Sequence, residues 1–255
     1  MNKIWAIAQN TFIEGLRSKT LYALLAYLFL ILFSVTALVP LTLGEHSRIL
    51  RDFGLAGIEF LSIMLAIVVG TTLVYKEVEK RTIHVIVSKP VERFYFLLGK
   101  YLGMELLLGL MIVLMTAIFA AGVFILDGKF PLGLLLPAGM AFIKVSVINS
   151  IALFFSSLSS PILGAVFTFC LYLAGTLSRD ILSLAQRLPA GLLKTTLKIF
   201  YYLLPNMGNM DLKNQAVFDQ PVLWPQVWWS LSYGGAYVLT VLMITSLIFE
   251  KKDFK

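Results

Sequence analysis

The chain has 255 residues, 59% of them hydrophobic and only 14% charged, with a mean hydropathy of +0.87. Soluble domains carry roughly a quarter of their residues as charge, so a soluble fold is excluded and an all-α integral membrane protein is expected. The net charge of +7 would suit nucleic acid or anionic lipid, but the lysines and arginines collect on one side of the expected membrane, so they record orientation instead.

Residues 1–19 read as an interfacial helix. Lys3, Asn10, Glu14 and Arg17 share one helical stripe, and Trp5, Ala8, Phe12 and Leu16 share the opposite one, the pattern of a helix lying on a membrane surface. The apolar run that follows is too long for a signal peptide and lacks a small-residue cleavage site. Six stretches are long and apolar enough to cross about 30 Å of hydrocarbon. They lie near 20–43, 53–75, 101–126, 132–155, 160–178 and 226–249, and the whole chain reads as a single domain, 1–255. With the N-terminus inside, the inner side holds Lys3, Arg17 and Lys19, the basic residues of 76–100, and Lys251, Lys252 and Lys255. The short outer loops hold only Arg48, Arg51 and Lys129. Both termini are therefore expected in the cytoplasm, and the chain in the cell inner membrane.

Between the second and third expected spans, residues 76–100 form the one dense block of charge, including Glu77, Glu79, Arg81, Arg93 and Lys100. A simple connection needs only a few residues, so this excursion suggests a docking surface. Between the fourth and fifth, Ser156–Ser160 is a turn signal, with Pro161 poised to open the next helix. The outer segment 179–225 carries an apolar helical face through Leu192, Leu193, Leu197 and Phe200, bracketed by Pro189 and Pro205. Residues 206–212 then read as loop. Trp224, Trp228 and Trp229 read as interfacial anchors of the last span.

Three charges fall inside expected spans: Glu59, Glu105 and Lys144. Such charges are costly unless paired or used. Glu59 and Lys144 can pair if their helices touch; a substrate or ion pathway is the functional alternative. Asn149 can hydrogen-bond between helices, and Gly99-x-x-x-Gly103 can permit close helix packing. Catalytic patterns do not stand out: Gly99-Lys100 lacks the rest of a phosphate loop, and no serine–histidine pair reads as a nucleophile with its base. A single cysteine, Cys170, and two distant histidines, His46 and His84, make a metal site unexpected.

The run Glu79-Lys80-Arg81-Thr82-Ile83, then Ser88-Lys89-Pro90-Val91-Glu92-Arg93, then Leu98-Gly99-Lys100-Tyr101-Leu102-Gly103 resembles a pattern in ABC-2 type permeases. The branch it resembles contains permeases of nitrous-oxide-reductase maturation, sodium efflux and gliding motility. Arg81 stands where that family usually has glycine. The resemblance implies a non-catalytic subunit, one of two permeases, each with an ATPase subunit beneath that carries ATP and Mg. It implies that 76–100 is the ATPase-coupling segment, through Glu77, Glu79, Arg81, Thr82, Ser88, Pro90, Arg93, Phe94 and Lys100, with Phe96 also anchoring in the partner and Ser156–Ser160 as a smaller contact. Export of an apolar or amphipathic cargo is the expected direction. A scaffold that passes ATPase motion to an outer-face protein, and an ion-coupled secondary transporter, are the competing readings.

Overall fold

A computed structural model describes residues 3–17, 21–33, 46–79, 93–128, 132–189, 191–218 and 220–251. Among them every regular element is helical: α1 (Lys3–Arg17), α2 (Leu21–Phe33), α3 (His46–Glu79), α4 (Arg93–Asp127), α5 (Leu135–Leu158), α6 (Pro161–Thr176), α7 (Ser178–Arg187), α8 (Leu192–Leu203), α9 (Lys213–Val217) and α10 (Trp224–Lys251). One-turn 3-10 helices at Leu132–Leu134 and Met207–Met210 complete the order.

Four helices contain a stretch long and apolar enough to cross a membrane: Arg48–Thr72, Phe94–Ile125, Leu135–Leu158 and Trp224–Ile248. A fifth span results if α6 and α7, bent by 49° at their junction, count as one. The first expected span is described only over the 13 residues of α2; its remainder, residue 20 and 34–43, lies outside the described residues. The third expected span begins eight residues earlier than the hydropathy suggests, because α4 continues the apolar helix back through Leu97 and Phe96 to Arg93.

Local chemistry sets the ends. Gly128 adopts a left-handed φ of 68° and its N–H bonds the Phe124 carbonyl at 2.9 Å, which closes α4. Pro161 is the first residue of α6, where its missing N–H leaves nothing unsatisfied. Leu188 and Leu204 each precede a proline and are extended, with ψ of 145° and 146°. That restriction stops α7 and α8. The turn between α5 and α6 is shorter than expected. Ser156 and Ser157 are buried within α5, and the Ser156 hydroxyl donates to the Thr71 carbonyl at 3.2 Å.

α5 is the central post, packed against α3, α4, α6 and α10. α1 lies along the first half of α4, and α2 against α3. The glycine spacing on α4 serves this internal contact. A Cβ on Gly99 would meet Ile7 Cβ at 2.8 Å, and one on Gly103 the Ala8 carbonyl oxygen at 2.5 Å. The buried residues of α1 are Ala8, Thr11 and Gly15. Its small-residue stripe faces α4, Phe12 and Leu16 pack partly on the core, and Trp5 is left half exposed.

Candidate functional site

The two charges placed in the second and fourth expected spans are brought together. Lys144 Nζ lies 2.8 Å from Glu59 Oε1, with both side chains buried. Two further residues join them. Lys213 Nζ is 3.1 Å from Glu59 Oε2, while Asp211 Oδ2 is 3.5 Å from Lys144 and 3.7 Å from Lys213. The four side chains thus form a closed ring of alternating sign with no net charge. Each charge, buried in Glu59 and Lys144 and part-exposed in Asp211 and Lys213, has two counter-charges, the condition under which Coulomb attraction offsets desolvation.

Asp211 and Lys213 come from the stretch 206–212 and its continuation, which the sequence reads as loop. Instead the 3-10 turn and α9 make a wedge set into the end of the bundle. Met207, Met210, Leu212 and Val217 are all buried in the main core. Each such side chain contributes roughly 1.5–3 kcal/mol relative to exposure to water. The spacing of Met207, Met210 and Leu212 was the signal available in the sequence. Around the wedge, Asn209 accepts from Arg179 Nε at 2.9 Å through its side chain and from Ser230 Oγ at 3.1 Å through its carbonyl. The Asn206 N–H donates to the Tyr233 hydroxyl at 3.0 Å. A side chain on Gly175 would meet the Pro205 carbonyl at 2.6 Å, so α6 and the entry to the wedge touch backbone to backbone.

Titration of the two wedge residues follows from the ring. Burial raises the Asp211 carboxyl, but Lys144, the Lys213 backbone N–H and the Lys213 ammonium outweigh it and hold the group below its ordinary 3.8. Burial lowers Lys213, yet Glu59 and then Asp211 lift it above its ordinary 10.5. The stability from Asp211 is therefore complete above pH 3.8 and lost as pH falls through its depressed value; that from Lys213 is complete below pH 10.5 and lost as pH rises through its raised value. The expected melting profile of the detergent-solubilised protein is a plateau between those limits. In Asp211→Asn the loss on the acid side shrinks, which thermal scans across pH measure.

Residues of the charged connection are placed as follows. Glu77 and Glu79 belong to the last turn of α3, and Arg93 opens α4. Arg81, Thr82, Ser88 and Pro90, with His84, lie outside the described residues. Phe94 is exposed on the first turn of α4. Lys100 and Phe96 sit differently from the expectation. Lys100 is 1% exposed, 3.8 Å from Glu14 of α1 and over the Phe96 ring at 6.0 Å. Phe96 is itself buried. Both face into the chain because α4 is helical here, and the turn that exposes Phe94 and Tyr95 necessarily aims Phe96 and Lys100 inward.

Glu105 forms a separate cluster. Ser146 Oγ donates to its Oε2 at 2.7 Å and Asn149 Nδ2 to its Oε1 at 2.8 Å. An apolar crevice of about 560 Å³ opens between α4 and α5, lined by Gly109, Val113, Ala117, Gly139 and Phe142 among others. Among the described residues no group of three or more His, Cys, Asp or Glu side chains is placed to hold a metal ion.

A helical membrane bundle with a wedge set into one end is the setting in which the sequence comparison is decisive. The family described as ABC-2 family transporter protein matches residues 5–254. The chain belongs to that family. It is thus a membrane permease of an ATP-binding-cassette transporter, in a family whose members are generally non-catalytic subunits that associate with an ABC ATPase. No curated protein matches the chain. In this ABC-2 permease one member of the ring and two acids of the charged stretch lie on the same helix. Glu59 is midway along α3, and Glu77 and Glu79 are at its end.

Proposed function

We propose that this permease pairs with a second permease subunit and with two copies of a separately encoded ATPase, which carry ATP and Mg. The connection 76–100 is the coupling element, with Glu77, Glu79, Arg81, Thr82, Ser88, Pro90, Arg93 and Phe94 meeting the ATPase. Lys100 instead pins α1 to α4. Both termini and the connection are cytoplasmic, the membrane is the cell inner membrane, and the direction is export.

One observation carries this reading: α3 is a single helix of 34 residues. At 1.5 Å per residue, Glu79 stands about 30 Å from Glu59. A helix transmits displacement along its length with little compression, so a push at the connection reaches the charged ring that holds the wedge. ATPase closure then moves α3 as a rigid body, strains the ring and frees the wedge at the outer end. The apolar crevice between α4 and α5 favours an apolar or amphipathic cargo.

Charge reversal tests the coupling. Glu79→Lys together with Arg93→Glu is expected to weaken ATPase association at least tenfold, about 1.4 kcal/mol, as read by co-purification from gently solubilised membranes. Unchanged co-purification and unchanged transport would refute it. The exposed apolar residues of α8, including Leu192, Ile199 and Tyr202, favour a second reading, a scaffold that moves an outer-face protein. ATP-dependent accumulation of a solute in reconstituted vesicles separates the two.

A further inference from the structure

Two carboxyl groups are buried in this bundle, and their surroundings differ in kind. Glu59 has two ammonium groups against it. Glu105, 9% exposed and within the span Phe94–Ile125, makes no ion pair among the described residues. Its hydrogen-bond partners are a serine hydroxyl and a carboxamide N–H, while the hydroxyl of Tyr101, one turn earlier on α4, donates to the Ser146 carbonyl at 3.4 Å. The buried lysines among the described residues are already engaged. On α5, Lys144 is held by Glu59 and Asp211; on α3, Glu59 is held by Lys144 and Lys213; on α4 itself, Lys100 faces Glu14 of α1. An ionised carboxylate with no counter-charge costs several kcal/mol at such a place, whereas the neutral acid does not.

We propose that Glu105, with Ser146 and Asn149, is an intramembrane proton-binding site in which the Glu105 carboxyl takes up and releases the proton.

The cage suits both forms. A hydroxyl donates to a carboxylate and accepts from a carboxylic acid by rotating its O–H, so Ser146 serves either state without moving a heavy atom. Asn149 adds a second device. Its Oδ1 is fully buried and lacks a hydrogen-bond partner, and it faces Gly70, where an added Cβ would come within 3.4 Å. Turning the amide over places that oxygen where Nδ2 now stands, 2.8 Å from Glu105 Oε1. There it accepts the proton of the neutral acid. Either orientation leaves one amide atom facing Gly70, so the two states are matched in that respect. The proton leaves Glu105 as H⁺ and the carboxylate keeps the electron pair; no other bond changes. Because the acid is on α4 and its partners are on α5, loss of the proton puts a bare negative charge into the α4–α5 contact. That contact therefore responds to protonation, independently of how the ATPase is coupled.

Infrared difference spectroscopy on the full-length permease in lipid nanodiscs tests the site. The wild type minus Glu105→Gln difference at neutral pH is expected to show the C=O stretch of a neutral carboxylic acid. On alkaline titration that band should convert to carboxylate bands. Carboxyl-¹³C glutamate labelling of the wild type reads the same band without a substitution. Asn149→Leu should move the titration midpoint by about one pH unit, because a hydrogen-bonding partner of the carboxyl is gone. Carboxylate bands alone at neutral pH would overturn the proposal. So would an acid band that persists until the protein unfolds.

Discussion

Lys144→Met is expected to destabilise the permease by about 3–5 kcal/mol, because it leaves the ring with an uncompensated negative charge. Glu59 then keeps only Lys213, at 3.1 Å, and Asp211 keeps the same lysine, at 3.7 Å. One ammonium cannot neutralise two carboxylates in a buried setting. Glu59→Gln alone has the opposite imbalance and a similar cost, with Lys144 and Lys213 both directed at Asp211. The double variant Glu59→Gln, Lys144→Met restores neutrality and retains the Asp211–Lys213 pair. It should therefore recover at least half of either single loss, a non-additive result diagnostic of direct coupling. Thermal denaturation of the purified protein in detergent measures all three. Trypsin cleavage at Lys213, which the ring shields, reports whether the wedge has come loose. Additive single effects, or a double variant worse than both, would show that the four charges do not act as one unit.

Gly103→Leu is expected to cost about 1–3 kcal/mol, toward the upper end of that range, and to lift α1 away from α4. The first added carbon would lie 2.5 Å from the Ala8 carbonyl oxygen and 2.6 Å from Thr11 Cβ, so the obstacle is largely helix backbone, which cannot rotate away. Gly15→Ala on the facing helix is a contrasting case. Its Cβ would meet Leu107 Cδ2 at 2.5 Å, the far end of a flexible side chain. A rotamer shift there costs about 0.5–1.5 kcal/mol. The helix gains roughly 1 kcal/mol on replacing glycine by alanine, so the net change is near zero. Limited trypsin digestion at Arg17 and thermal midpoints compare the two variants. Equal losses from both would mean that α1 is held by something other than this backbone approach.

These contrasts also separate local from tertiary information. The helical character, the apolar runs within α3, α4, α5 and α10, and the stop before Pro205 were legible in the residues alone. Each depends on hydropathy over about twenty residues or on the restricted backbone next to proline. The charged connection and the family resemblance were legible for the same reason, being contiguous in sequence. What Lys100 and Phe96 face was not, since the start of α4 decides which side of the helix they occupy.

The ring of Glu59, Lys144, Asp211 and Lys213 was half visible in the residues. Two charges inside apolar runs signal a need for partners, but Coulomb energy depends on distance in space. The second pair lay in a polar stretch where charge is unremarkable. Glu105 is the converse. In sequence it looks like Glu59, a single acid in an apolar helix. Packing against α5 surrounded it with hydroxyl and amide groups and gave both ammonium groups to Glu59. Composition and periodicity determined that this chain lives in a membrane as helices. Only the folded packing decided which buried acid meets two ammonium groups and which meets a hydroxyl and an amide.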